Sequence, residues 1–160
     1  MSIWSKIKNK LKVNRKFIVG ILKVDGRAVG LNSFTFIEDE HYVYHKSVEK
    51  FQLLKDVEVT FLWKKNGKVK EDTVWCRAGF TWNGADIPDS LQGLLGGRFD
   101  PEFALASCIH DQAVKMKLNH YAESRIFYEV LKTRAGRFNI PKWKEKAMYV
   151  AVWMWSVYSS

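Results

Sequence analysis

The sequence predicts an α+β fold, with an N-terminal antiparallel β-sheet of short strands followed by a three-helix C-terminal half. Up to about residue 78, β-branched and aromatic residues cluster in short runs between turn-forming residues. Beyond Pro88 the apolar residues recur every three or four positions, which is the period of a helix buried on one face. At 160 residues the chain has the length of one domain with its own core. We therefore predict a single domain over residues 1–160.

Composition divides this domain into four stretches. Residues 1–15 form a basic segment in which apolar residues have helical spacing, with lysines between them. We predict a short amphipathic helix over residues 2–12, which either anchors the protein on another surface or packs on its own domain. The remaining stretches are a mainly β part at 16–78, a site loop at 79–100 and a helical part at 101–158.

Four runs of β-branched and aromatic residues predict strands, because charged or glycine-containing breaks separate them. Asn66-Gly67 predicts a two-residue hairpin turn, since both residues tolerate a positive φ. This hairpin would pair residues 57–65 with residues 68–77 and lead the chain to the site loop. The four runs are residues 17–24, 33–37, 42–45 and 57–63.

Three helices are predicted after the site loop. The first follows Asp100 and Pro101, which supply an N-cap and a first-turn proline. The second covers residues 121–133, and Gly136 would end it. The third covers residues 141–157. The residues predicted to be buried are Phe103, Ala106, Ile109, Ala113 and Met116 on the first, Ile126, Phe127, Val130 and Leu131 on the second, and Trp143, Ala147, Val150, Ala151 and Met154 on the third.

Charge and composition limit the classes of function. The formal net charge is +9, and residues 1–24 hold seven lysines and arginines with no acid, which favours an anionic surface of lipid or nucleic acid as a partner. We expect no signal peptide and no transmembrane segment, because the longest apolar run is far too short to cross a bilayer. Cys76 and Cys108 lack the spacing of a zinc ribbon or a disulfide framework, which favours a reducing compartment.

Residues 79–111 are the candidate functional site. The loop is rich in Gly, Asn, Asp and Pro, whose backbone angles allow carbonyl and carboxylate oxygens to face a cation or a ligand. His110 and Asp111 follow on the first helix, at the edge of its buried face. The alternative is a structural role, in which Asp86 forms a turn or cap and His110 hydrogen-bonds to the loop that covers it.

Three stretches of the chain carry a family resemblance. They are Gly-Phe-Thr-Trp-Asn-Gly-Ala-Asp-Ile-Pro at residues 79–88, Ala-Ser-Cys-Ile-His-Asp at residues 106–111, and Phe127 with its flanking helix. They resemble a domain-of-unknown-function family common in tailed phages and prophages, over about residues 57–157. The family pattern is Gly-Phe-x-Thr-Asp-x-Ala-Ser-x-Pro, a His-Asp-x-x-Tyr helix and an Ala-Asp-x-x-Phe helix. The resemblance implies a phage-type protein located in the host cytoplasm or the virion.

The same pattern is similar, more distantly, to prokaryotic phospholipase A2, in which a loop precedes a helix bearing His-Asp. This resemblance implies that His110 activates a water as general base, that Asp111 helps to bind calcium, and that Asn83 stands where the loop has an aspartate. The chain departs from these patterns at several polar positions. Trp82, Asn83, Asp86 and Val114 replace Thr, Asp, Ser and Tyr of the family pattern, and Ser124 stands where its second helix has a carboxylate, with Glu123 turned about 100° away.

These departures favour binding over catalysis, because most of them remove a charge or a hydrogen bond. The leading hypothesis is a phage-associated binding protein, a virion component or host-directed factor, that binds other phage or host proteins and uses Trp82, Asn83 and Asp86 as ligand-binding residues. The alternative is a hydrolase of ester or phosphate substrates, with His110 and Asp111 as catalytic residues and calcium held by Asp86 and Asp111. A binder of nucleic acid or an acidic ligand comes third, because the pI is about 9.5 and aromatic residues stand beside lysines.

Overall fold

The computed structural model describes residues 29–31, 36, 38–65, 68–118 and 120–159. The architecture is α+β, as predicted: short antiparallel strands come first and three long helices form the C-terminal half. The predicted helix over residues 2–12, the predicted strand over 17–24 and most of the predicted strand over 33–37 lie outside the described residues. None of the helices in the described ranges combines the length and apolar character needed to cross a membrane.

The strands form two antiparallel sheets of three strands each within the described part of the chain. They are β1 (Val29–Leu31), β2 (Tyr42–His45), β3 (Lys50–Leu53), β4 (Val57–Lys65), β5 (Lys68–Cys76) and β6 (Thr81–Trp82). The first sheet has the order β1-β4-β5 and the second has the order β2-β3-β6. The short β6 therefore joins the second sheet immediately before the site loop.

The hairpin of β4 and β5 is confirmed. The two strands pair in register from Val57 with Cys76 to Lys65 with Lys68, so a two-residue connection joins them. The connecting residues themselves, 66 and 67, lie outside the described residues. The strand predicted at Tyr42–His45 is also confirmed, whereas its partner β3 was not predicted, because that short run has a charged residue at its start and is ordered by pairing on both sides.

The helices are α1 (Glu38–His41), α2 (Asp89–Leu95), α3 (Ala104–Lys115), α4 (His120–Phe138) and α5 (Lys142–Ser159), with a 3-10 turn at Pro101–Phe103. The prediction that Gly136 ends the second long helix is wrong. The helix continues to Phe138 and is followed by Asn139 at φ 52°. Asn is one of the residues that tolerate this left-handed conformation, so Asn139 takes the terminating role.

The core lies between the strands and α3, α4 and α5. The predicted buried residues of α4 are confirmed, and α3 buries every residue from Ala104 to His110. Met116 and Trp143 were wrongly predicted to be buried, since their exposed fractions are 40% and 55%. Met116 follows the end of α3, where the helical register no longer applies. On α5 the buried stripe includes Glu145, Met148, Tyr149 and Val152, so it is rotated away from Trp143.

Candidate metal centre

The site loop is clamped by its own backbone on either side of α2. The amide of Ala85 donates a 2.8 Å hydrogen bond to the carbonyl oxygen of Arg98. Gly84 has φ +80° and lies so close to the same carbonyl that a Cβ atom there would be 2.2 Å from the oxygen. Only glycine fits this position without a shift of the backbone. Asp86 therefore follows a segment whose position is set by main-chain contacts.

Several polar residues of the loop have structural roles. Asp100 is the N-cap residue of the following 3-10 turn and Pro101 is in its first turn, as predicted, while the Asp100 carboxylate accepts a 3.0 Å hydrogen bond from the amide of Gly97. The side-chain amide of Gln92 donates to the carbonyl oxygen of Ile87 at 3.2 Å and to the Asp89 carboxylate at 3.1 Å. The carboxylates of Asp89 and Asp100 are therefore used in hydrogen bonds within the loop.

His110 lies deeper in the protein than the sequence pattern indicates. Its side chain is on α3, its exposed fraction is 4%, and its ring meets the edge of the Phe127 ring with centroids 5.9 Å apart. Its Nδ1 atom is 3.9 Å from Oδ1 of Asp111. Its Nε2 atom is buried and has no hydrogen-bond partner among the residues that the structure describes. Because buried polar atoms are normally satisfied, this nitrogen calls for an explanation.

Asp86, His110 and Asp111 converge. Each offers one ligand atom, and these atoms all lie within 4.8 Å of one another. Asp86 and Asp111 are half-buried and His110 is buried. Ligands held about 2.0–2.6 Å from one cation lie roughly 3–5 Å from each other, so the spacing suits a single ion with small side-chain adjustments. The loop thus brings Asp86 to the two helix residues that the sequence placed beside each other.

The surroundings of this cluster make Asp86 harder to ionise than an ordinary aspartate. Burial raises the pKa of Asp86, and the neighbouring Asp111 raises that pKa further, whereas His110 and Arg98 lower it. The Nη2 atom of Arg98 is 3.5 Å from Oδ1 of Asp86 and offsets only part of this effect. A cation between the two carboxylates would relieve their repulsion.

A further carboxylate, that of Glu123 on α4, interacts electrostatically with His110 but is not one of the three converging residues. Glu123 is buried, and its Oε2 atom is 3.7 Å from Nδ1 of His120. It stands one helical turn before Phe127, whose ring contacts His110, so both side chains face α3. Burial raises the pKa of Glu123, and the charges of His110 and His120 lower it. Sequence reasoning discounted this residue because it considered the helix register alone.

Trp82 and Asn83, two of the predicted ligand-binding residues, are not part of the convergent cluster. Trp82 is 3% exposed, and its Nε1 atom donates a 3.0 Å hydrogen bond to Oγ of Ser107 inside the core. The Asn83 side chain is exposed. Because neighbouring strand residues point to opposite faces, the short strand β6 turns Trp82 inward.

The two cysteines also meet, although their sequence spacing gives no sign of it. Both are buried and free, and Sγ of Cys76 at the end of β5 donates to the carbonyl oxygen of Cys108 on α3 at 3.7 Å. Burial raises the pKa of Cys108 well above its ordinary value, and a hydrogen bond with the Cys76 side chain raises it further. This contact joins the hairpin to the helix that carries His110.

A known protein family matches the part of the chain that contains this site. The family model described as Protein of unknown function (DUF1353) matches residues 57–152, which extend from β4 into α5. The chain belongs to the DUF1353 family. The matched segment contains the site loop, all three residues of the convergent cluster and Glu123, so the DUF1353 region includes the whole candidate centre.

One curated relative of this DUF1353 chain is Uncharacterized protein y4jT from Sinorhizobium fredii (strain NBRC 101917 / NGR234). It is 36% identical over 72 residues, which is 44% of this chain and 20% of the relative. The match therefore spans only about a fifth of that protein's length. No solved structure matches the chain significantly.

Proposed function

We propose that this DUF1353 domain acts by binding, and that its site loop and α3 hold a divalent cation. The ligands would be Asp86, His110 and Asp111. The single observation that carries the proposal is their convergence, with ligand atoms within 4.8 Å of one another from two separate elements. Carboxylate oxygen and imidazole nitrogen are both ordinary metal ligands in proteins.

Two details favour binding over the purely structural role. In the structural alternative His110 would hydrogen-bond to the covering loop, yet its Nε2 atom has no such partner within the described residues. Asp86 would serve as a turn or cap, yet its pKa is raised by burial and by Asp111, so its charge is held at a cost. A bound cation would offset the repulsion between the carboxylates and take a lone pair of the His110 ring.

The proposal is tested by thermal unfolding of chelator-treated protein with and without added divalent cations. We expect at least one cation to raise the melting temperature, because a ligand of the folded state stabilises it through linkage. Asp86→Asn and Asp111→Asn should lose this rise. Asp89→Asn is the matched control, since it removes a carboxylate from the same loop but outside the cluster, and it should retain the rise. No shift with any cation, or an unchanged shift in Asp86→Asn, would contradict the proposal.

A second candidate function is metal-assisted hydrolysis of an ester or phosphate substrate. It is favoured by the buried, unpartnered Nε2 atom of His110, because such a nitrogen could accept a proton from an attacking water. His110→Gln should then abolish activity on a panel of phospholipid, ester and phosphodiester substrates while the cation-free protein stays folded. Absence of activity in the parent protein across the panel would exclude this function for the substrates tested.

We infer a phage or prophage setting from the motif resemblance alone. On that inference the protein is either a virion component or a host-directed factor, and the seven basic residues of segment 1–24 supply contacts to lipid, nucleic acid or an acidic partner. Mass spectrometry of purified virions distinguishes the two roles, since only a virion component would remain after density-gradient purification. Binding through segment 1–24 should weaken steeply as salt rises.

A further inference from the structure

Resting on the proposed cation site, we infer that the ion is a borderline transition cation of the Zn²⁺ and Co²⁺ class, and not Ca²⁺ or Mg²⁺. The decisive feature is the donor set. One of its three members is the imidazole of His110, which is 4% exposed. Calcium and magnesium prefer oxygen ligands, whereas imidazole nitrogen suits zinc, cobalt and nickel.

Three carbonyl oxygens of the surrounding loop are already used in hydrogen bonds, and no backbone oxygen is among the converging ligand atoms. Calcium takes about six to eight oxygen ligands, many of them backbone carbonyls of a loop. Here the carbonyl oxygens of Ala85, Ile87 and Arg98 already accept hydrogen bonds from Ile87, Gln92 and Ala85 respectively. The Asn83 side chain is exposed and outside the cluster. Three protein ligands fall far short of a calcium cage but match the number found in open transition-metal sites.

The buried imidazole is also suited to a metal bond. A metal ligand must present a lone pair. Nδ1 of His110 lies 3.9 Å from Oδ1 of Asp111, a spacing found between two ligands of one ion, and Nε2 has no hydrogen-bond partner in the described chain. The carboxylate of Glu123, on the side of α4 that faces His110, contributes negative potential there. The remaining coordination positions would be open to water or an anionic ligand.

The test is a titration of metal-free, full-length protein with Zn²⁺, Co²⁺, Ca²⁺ and Mg²⁺ chlorides, monitored by isothermal titration calorimetry. We expect Zn²⁺ and Co²⁺ to bind at least about tenfold more tightly than Ca²⁺. Bound Co²⁺ should also show a visible absorption spectrum distinct from that of the hydrated ion. This comparison uses the unaltered protein, so it does not depend on whether a variant folds.

A variant pair then isolates the imidazole. His110→Gln should weaken Zn²⁺ binding about 100-fold or more while changing weak Ca²⁺ binding little, because the loss is confined to a nitrogen ligand. His45→Gln, which removes an exposed histidine of β2, should bind Zn²⁺ as the parent does. Tighter binding of Ca²⁺ than of Zn²⁺ would overturn this inference and leave the cation site standing. Absence of binding by all four cations would overturn both.

Discussion

The guanidinium of Arg98 lies 3.5 Å from the carboxylate of Asp86, one of the three convergent side chains. The main chain of Arg98 has a separate role, because its carbonyl oxygen accepts the hydrogen bond from Ala85 that clamps the loop. A substitution at residue 98 therefore removes the positive charge and keeps the clamp. The charge beside Asp86 can therefore be removed by mutation while the backbone hydrogen bond that holds the loop is kept.

We expect Arg98→Gln to raise cation affinity several-fold. The arginine and a bound cation repel each other and share one carboxylate, so removing the arginine favours the ion. Calorimetric titration at low ionic strength measures the change, and high salt should reduce it. Arg77→Gln is the charge-matched control, because Arg77 stacks on Trp75 with its guanidinium carbon 3.9 Å from the ring centroid. A lower affinity in Arg98→Gln would instead indicate that the arginine positions Asp86.

Asp86→Asn should stabilise the cation-free protein at neutral pH. Burial and the nearby Asp111 raise the pKa of Asp86, so the folded state binds a proton there more tightly than the unfolded chain does. Stability from this group is present below its unfolded pKa and is lost as pH rises through its folded pKa. The variant should thus have a higher melting temperature than the parent at pH 7. The gain should shrink as pH falls through the raised pKa of Asp86 and vanish below the pKa of an unfolded aspartate, about 3.9, and a loss at neutral pH would contradict the prediction.

Gly84→Ala should destabilise the protein and weaken cation binding together. The new Cβ would lie 2.2 Å from the carbonyl oxygen of Arg98, and φ at this position is +80°. We expect a loss of about 1–3 kcal/mol in the free energy of unfolding. Gly93→Ala is the matched control on α2, since no atom lies within 4 Å of its added Cβ. It should be neutral or stabilise by about 0.5–1 kcal/mol, as alanine does within helices.

Neither thiol should react with an aromatic disulfide reagent while the protein is folded. Cys76 and Cys108 are both fully buried, and the pKa of Cys108 is raised well above its ordinary value, which lowers the thiolate fraction. Two thiols per chain should react once denaturant is added. Rapid reaction of either cysteine in the native protein would show that the contact between β5 and α3 opens readily.

Much of the fold could be predicted because it depends on local pattern. Residues close in sequence determine three of its features: the change from strand to helix period, the hairpin joining β4 to β5, and the buried stripe of α4. The two-residue β6 is ordered by β3, which is distant in sequence, and β3 itself is a short run that begins with a charged residue, so neither has a strong local signal. Gly136 suggested a helix end, but packing against the rest of the domain carries α4 two residues further.

The candidate site was predictable in its residues but not in its geometry. Asp86, His110 and Asp111 stand in recognisable motifs, and the structure brings them together. The inward turn of Trp82 could not be foreseen, because a two-residue strand is too short for alternation to be visible in the sequence. The position of Glu123 depends on how α4 packs on α3, which residue spacing alone does not specify.

The hydrogen bond between Ala85 and Arg98 closes a loop whose outer turn carries α2. Because this closure is made by backbone atoms, it holds the base of the loop, while Leu95 of α2 is 1% exposed and packs in the core. Leu94 at the surface of α2 is 64% exposed, and nothing contacts an added Cβ at Gly93. A small fluorescent label on the side chain of Leu94→Cys should therefore leave Asp86 in place. Leu94 thus offers an attachment point for a reporter on the loop that carries Asp86, and it is not itself one of the ligands.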